Sequence, residues 1–225
     1  MRIAKEGEVR KQELLDAALQ LFCEKGYDRT SVNDILDAVG VSKGAFYYYF
    51  ESKEQVLDAI AMQETERIVA ITRRIAADPT LTAIQKYSAN LTAVQQYRAA
   101  NADQRYSIHS VLGRDENAKL ARRVSEATLA LSLPVFQTMI VQGVREGSFQ
   151  TDYPEETAEL IIRMGMVVNA KLAQLRQEQA PPAVWLRTLT FYEEALERLL
   201  GIRERGAIGL VRATMAAFTG KEDQA

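Results

Sequence analysis

Thr30, Ser31, Ser42, Lys43, Tyr47, Tyr48, Tyr49 and Lys53 bring hydroxyl and ammonium groups together within one short stretch of the chain. Their chemistry is that of donors. Lys43 and Lys53 are point charges for anionic oxygens, and the hydroxyls of Tyr47, Tyr48, Thr30 and Ser42 can donate to phosphate oxygens. Between them, Gly44 and Ala45 leave room for a close backbone approach, and a methyl such as that of Ala45 can meet a thymine methyl. Acid–base and nucleophilic sets are missing. The 225 residues hold one His, one Cys and one Trp, with no HExxH, no CxxC and no Gly-rich phosphate loop. Acidic pairs such as Glu155-Glu156 and Glu193-Glu194 fall at expected helix starts or on solvated faces. The chain reads as a non-enzyme without cofactor or metal.

The donors need elements to hold them. Val32, Ile35, Leu36 and Val39 recur at i, i+3, i+4 and i+7, one face of a short helix. Ser31 with Asp34 makes a capping box at its start, and Gly40 ends it at positive φ. Ser42 caps a second segment, in which Phe46 and Phe50 turn inward while Lys43, Tyr47 and Tyr48 point mostly away and Tyr49 leans toward Phe46. Ser52 with Gln55 caps a third. Helix, short turn and helix over about 31–50 form a helix-turn-helix, whose second helix enters the major groove.

Here the residues resemble a family. Phe22-Cys23-Glu24-Lys25-Gly26-Tyr27, Thr30-Ser31, the run Gly40 to Phe50 and Ser52-Lys53-Glu54 are similar to the DNA-binding domain of tetracycline-repressor (TetR) regulators, over roughly residues 10–60. Tyr49 departs from that pattern, since many members carry His there. The resemblance implies a transcriptional regulator, usually a repressor, that binds a palindromic operator in double-stranded DNA as a homodimer. It also implies that a small, mostly apolar effector binds the C-terminal domain, and it gives the donor positions above, with Thr30, Ser31, Gly44, Ala45 and Tyr49, DNA-contact roles. An effectorless DNA-binding protein of the same fold and a non-catalytic helical interaction protein are the alternatives.

Charge runs against this reading. Residues 1–60 hold 8 Lys/Arg against 11 Asp/Glu, whereas a DNA binder usually shows a basic face. The motif outweighs composition, because a small groove reader needs only a few positioned donors. Few counterions are then released, and affinity falls gently with salt.

The rest of the chain is expected to be all-α, with a DNA-binding domain at 1–52 and a regulatory and dimerisation domain at 53–225. Residues 1–8 are polar and frayed, with Arg2 and Lys5 available as a backbone-contacting arm. A helix of about 9–25 carries Leu14, Ala18, Leu21 and Phe22 on one face, with Cys23 buried beside them. One long helix from Ser52 to about Ile75 links the domains. Asp78-Pro79 restarts the chain, helices follow at about 80–100 and 103–111, and Pro134 interrupts a segment running to Arg145. The helices after Pro154 and Pro181-Pro182 are the most apolar. Ile161, Gly165, Val168 and Leu172 from the first, with Leu189, Tyr192 and Leu196 from the second, form a two-fold four-helix bundle between subunits. Gly165 allows close approach there. Tyr106, His109, Phe136, Met139, Met164 and Asn169 are candidates for an effector cavity, although core packing accounts for most of them and a hydrogen bond across the dimer equally for Asn169. Residues 201–225 form a short helix or a tail. No leader and no uninterrupted apolar run of about 18 residues is seen, so no membrane partner is expected and the location is cytoplasmic.

Overall fold

The computed structural model describes residues 2–219, and of these all side chains except those of 2–6, 103, 106, 107, 109, 110, 116 and 217–219. Ten α-helices and no strand are found among them. In chain order they are α1 (Arg2–Lys25), α2 (Val32–Val39), α3 (Lys43–Tyr49), α4 (Lys53–Ala76), α5 (Ala83–Ala100), α6 (Ala102–Leu112), α7 (Ala118–Glu146), α8 (Pro154–Gln177), α9 (Pro182–Leu199) and α10 (Leu210–Thr219). A 3-10 turn at Asp115–Asn117 precedes α7. On length and composition α7 could cross a membrane, yet Ser132, Met139, Ile140 and Gly143 of that helix are buried in the protein.

Two compact units result. Met1–Thr65 joins Asn101–Val124 in the first, and Glu66–Ala100 joins Ser125–Ala225 in the second. A single cut after residue 52 does not describe this division. The reason lies in the first core: Leu14, Leu15, Ala18, Phe22, Ile35, Leu36, Phe46 and Phe50 are completed by Val56, Leu57 and Ile60 of α4 and by Ile108, Val111 and Leu112 of α6. A three-helix motif of this size buries too little apolar surface alone, and the extra helices supply it.

Several expectations are corrected. α1 begins at Arg2 rather than near Val9, and the side chains of Arg2 and Lys5, proposed as an arm, lie outside the described residues. Cys23 is exposed, not buried, because Leu15, Ala18 and Phe22 take the inward stripe and the next residue turns ~100° away from it. Asp78 does not cap a helix. Its carboxylate accepts from the amide and hydroxyl of Thr80, and α5 starts later, where Thr82 and Gln85 exchange the two hydrogen bonds of a capping box. Pro134 sits inside α7 without ending it, since a proline removes one helical hydrogen bond while burial of the residues around it holds the rest.

Beyond residue 200, the described residues to 219 are held by packing. α10 lies against α5 and α9, and Glu193 of α9 caps its start, accepting from the amides of Leu210 at 2.8 Å and Val211 at 3.4 Å. A carboxylate at a helix N-terminus meets both orphan N–H groups and the positive end of the dipole. The second core gathers Tyr87, Met139, Ile140, Phe149, Ile161, Val168, Leu172, Leu175, Leu189, Leu196, Leu200 and Ile208.

Candidate nucleic-acid interface and effector cavity

Local hydrogen bonds build the first site. The Ser31 hydroxyl accepts from the Asp34 amide at 3.1 Å, and Asp34 Oδ2 accepts from the Ser31 amide at 2.7 Å. Lys25 Nζ pairs with Asp34 Oδ1 at 2.8 Å. The Lys25 ammonium and the Ser31 donors hold the Asp34 carboxyl well below the usual carboxylate range. Gly40 ends α2 at φ 70°, its amide donating to Leu36 O at 2.8 Å, a conformation that costs glycine little. Ser42 then caps α3 by accepting from the Ala45 amide.

Anchored by buried Phe46 and Phe50, α3 turns its other side outward. Tyr47 is 56% and Tyr48 78% exposed, and Ser42, Lys43 and Gly44 are exposed beside them. These five form one donor-bearing outer surface. Ala45 is half-buried, and Tyr49 packs partly against the first core with its ring edge-on to Tyr48.

Two expected phosphate donors are turned inward. Thr30 is 1% exposed, and its hydroxyl donates to the carbonyls of Gly26 at 2.9 Å and Leu21 at 3.3 Å. Lys53 Nζ donates to the carbonyls of Tyr27 at 2.7 Å and Thr30 at 2.9 Å and sits 4.2 Å from the Tyr27 ring centroid. Thr30 and Lys53 thus fix the chain entering α2. A sequence pattern gives residue types but not the direction of a long side chain.

The second unit contains a cavity of about 140 Å³. Its walls are mainly apolar, with Ile68 of α4, Tyr87, Leu91 and Val94 of α5, Phe136 of α7, Ile161, Ile162, Met164 and Val168 of α8, and Leu196 and Leu210. Polar groups enter at Thr72, Asn90, Gln95, Arg98, Thr128, Ser132 and Asn169. Arg98 donates from Nη1 to Asn169 Oδ1. Of the expected cavity residues, Phe136, Met164 and Asn169 line it. Met139 does not; it is 1% exposed in the second core. The side chains of Tyr106 and His109 lie outside the described residues. Asn90, Gln95 and Arg98 were missed, because α5 shows almost no apolar periodicity that would separate a cavity face from a solvent face.

The expected dimer residues also move. Ile161, Val168, Leu172, Leu189 and Leu196 are buried within one chain, Tyr192 is half-buried, and Gly165 borders the cavity with no atom within 4 Å of where a Cβ would lie. Exposed instead are Leu160 and Val167 on α8 and Val184 and Phe191 on α9, at 53%, 57%, 39% and 63%.

A capped helix-turn-helix with an outward donor surface, in a chain that also carries a separate helical unit with an apolar cavity, defines a DNA-binding regulator. Comparison with known proteins agrees. Residues 14–60 match the model of the bacterial regulatory proteins of the tetR family. The chain is 28% identical over 157 residues to the HTH-type transcriptional repressor KstR2 of Rhodococcus jostii (strain RHA1), covering 68% of this chain and 74% of that one. To the HTH-type transcriptional repressor DhaR of Mycobacterium sp. (strain GP1) it is 28% identical over 177 residues, covering 74% and 85%. Solved structures share the fold: a SmeT–triclosan complex at TM-score 0.62 and 19% identity, covering 86% of this chain and 90% of that one, and the fatty acid degradation regulator FadR from Bacillus halodurans at TM-score 0.61 and 22% identity, covering 87% and 97%. Over residues 14–60 the chain matches the DNA-binding region of the bacterial tetR regulators, and over most of its length it is similar to transcriptional repressors. It is a DNA-binding transcription factor, not an enzyme.

Proposed function

We propose that the protein is a cytoplasmic, dimeric repressor that leaves a palindromic operator when a small, mostly apolar molecule fills the cavity of its second unit. Ser42, Lys43, Gly44, Ala45, Tyr47 and Tyr48 face the DNA, with Ser31 at the start of α2 and Tyr49 at the rim. The observation that carries this reading is α4. Lys53 in its first turn holds the carbonyls of Tyr27 and Thr30, and Ile68 and Thr72 further along the same helix line the cavity. A ligand against Ile68 and Thr72 therefore acts on the helix that fixes the entry to α2. It releases DNA only to the extent that it binds the non-binding conformation more tightly. The repressor names of KstR2 and DhaR and the triclosan held by SmeT support the same assignment.

Selection of binding sites from random duplex DNA tests it. An inverted repeat occupied by dimers is the expected outcome, and a compound that fills the cavity lowers affinity for that repeat. Failure to enrich any sequence, even at low salt, would overturn the proposal.

A further inference from the structure

One wall of the cavity carries a buried acceptor that its neighbours do not satisfy. Asn90, 4% exposed in the middle of α5, lines it, and its Oδ1 is buried without a hydrogen-bond donor among the described residues. The neighbouring polar groups are engaged elsewhere. Thr72 donates its hydroxyl to Ile68 O at 3.1 Å, Gln95 Nε2 donates to Thr214 Oγ1 at 3.2 Å, and Arg98 donates to Asn169. A buried acceptor without a donor carries its full desolvation cost, and asparagine is a poor residue for a helix interior. Leucine in its place would keep the same branching with two larger methyl groups and leave no unsatisfied acceptor.

From this we infer that Asn90 is the specificity residue of the cavity, and that the ligand is a small, uncharged, single-ring-sized molecule presenting one O–H or N–H donor to Asn90 Oδ1. The inference rests on the cavity being the effector site. Size follows from the volume: an apolar cavity of about 150 Å³ accommodates benzene, and this one measures about 140 Å³. Charge follows from the walls, whose apolar side chains penalise an ion; the Arg98 guanidinium keeps its charge while donating to the neutral Asn169 amide, so an anion is the competing ligand class.

Three probes of one shape discriminate: 4-methylphenol, p-xylene and 4-methylbenzoate, titrated calorimetrically into the full-length protein. Transfer from water alone favours p-xylene over 4-methylphenol, so a preference for the phenol needs a polar partner in the cavity. The expected result is that 4-methylphenol binds about tenfold or more tightly than p-xylene, and that Asn90→Leu reverses the order without lowering the melting temperature of the ligand-free protein. Equal or tighter binding of p-xylene to the wild type would overturn the role of Asn90 and leave the cavity as a ligand site. Tighter binding of 4-methylbenzoate would overturn it in favour of an anion held at Arg98. A marked fall in melting temperature in Asn90→Leu would show that a protein donor satisfies Asn90, which also overturns it. Binding of none of the three would remove the cavity itself as the effector site, and the proposal with it.

Discussion

Lys53 Nζ, in the first turn of α4, lies 2.9 Å from the carbonyl oxygen of Thr30, the residue that precedes the cap of α2. With its second bond to Tyr27 O, which also accepts from the Thr30 amide at 3.2 Å, the lysine ties together two carbonyls of a tight turn. Its charge is thereby held inside the first unit. The part of the motif that looks most like a phosphate clamp is a brace.

Replacement of Lys53 by Met separates the two roles. It keeps the aliphatic stem over Tyr27 and removes both hydrogen bonds, so a stability loss of about 2 kcal/mol is expected, read as the shift in a urea midpoint at unchanged slope. Operator affinity falls with it, yet the dependence of log K on log salt keeps its slope. A slope reduced by about 0.9 would instead mark Lys53 as a phosphate contact.

Asp34 gives a pH dependence of known sign. Its carboxyl is held below the ordinary carboxylate value by Lys25 and Ser31, so its contribution to stability is present above the unfolded-state value and is lost as pH falls toward the folded one. Asp34→Asn is expected to melt below the wild type at pH 7, and the gap should begin to narrow only below the unfolded aspartate value of about 4 and close as pH nears the lower folded one. Melting curves that stay parallel across that range would rule the mechanism out.

Gly143 is a steric requirement of the second core. A Cβ there would come within 2.1 Å of Phe149 Cδ2, and Phe149 is 2% exposed. The Gly143 carbonyl also accepts the amides of Ser148 and Phe149 that close α7. Gly143→Ala is expected to destabilise by about 1–3 kcal/mol, the cost of overpacking, and Phe149→Leu in the same chain should recover part of it. Thermal denaturation of the single and double variants decides.

Local order was legible in the sequence wherever it was encoded by neighbours. The Ser31–Asp34 box, Gly40, the Ser42 cap and the inward pair Phe46 and Phe50 all follow from spacing, and all are present. What failed depended on distant residues. The division into units depended on them, since the first core takes residues of α4 and α6 as well as of α2 and α3. Ile161, Val168 and Leu172 of α8, expected at a subunit interface, are buried within one chain, since a helix that is apolar nearly all round gives no period from which to choose the outer face. Met139, expected at the cavity, is a core residue and Asn90 lines the cavity instead, because periodicity does not distinguish a core position from a cavity wall.

On the outer surface of α3, Lys43→Ala and Tyr47→Phe are each expected to weaken operator binding by about 1–3 kcal/mol while leaving the helical fold and the dimer intact. Only Lys43→Ala should also lower the salt slope, by about 0.9, because only it removes a charge. Fluorescence anisotropy at several salt concentrations measures both quantities. A variant that binds like the wild type loses its assignment as a contact.

The dimer face can be decided by residues that one chain leaves uncovered. Leu160 and Val167 stand at i and i+7 on α8, and Val184 and Phe191 at the same spacing on α9, so each helix presents one outward apolar line. A two-fold pairing of these lines would cover all four and build a four-helix bundle from two subunits. Leu189 and Leu196 are already buried within the chain and offer no surface to a partner. Val167→Glu and Phe191→Arg should therefore sediment as monomers of unchanged helix content and lose operator affinity, since one half-site holds only one recognition helix. Leu189→Ala should remain dimeric and lose about 2–5 kcal/mol of stability, as a core truncation does. Val167→Glu and Phe191→Arg that both stay dimeric at micromolar concentration would place the interface elsewhere on the chain.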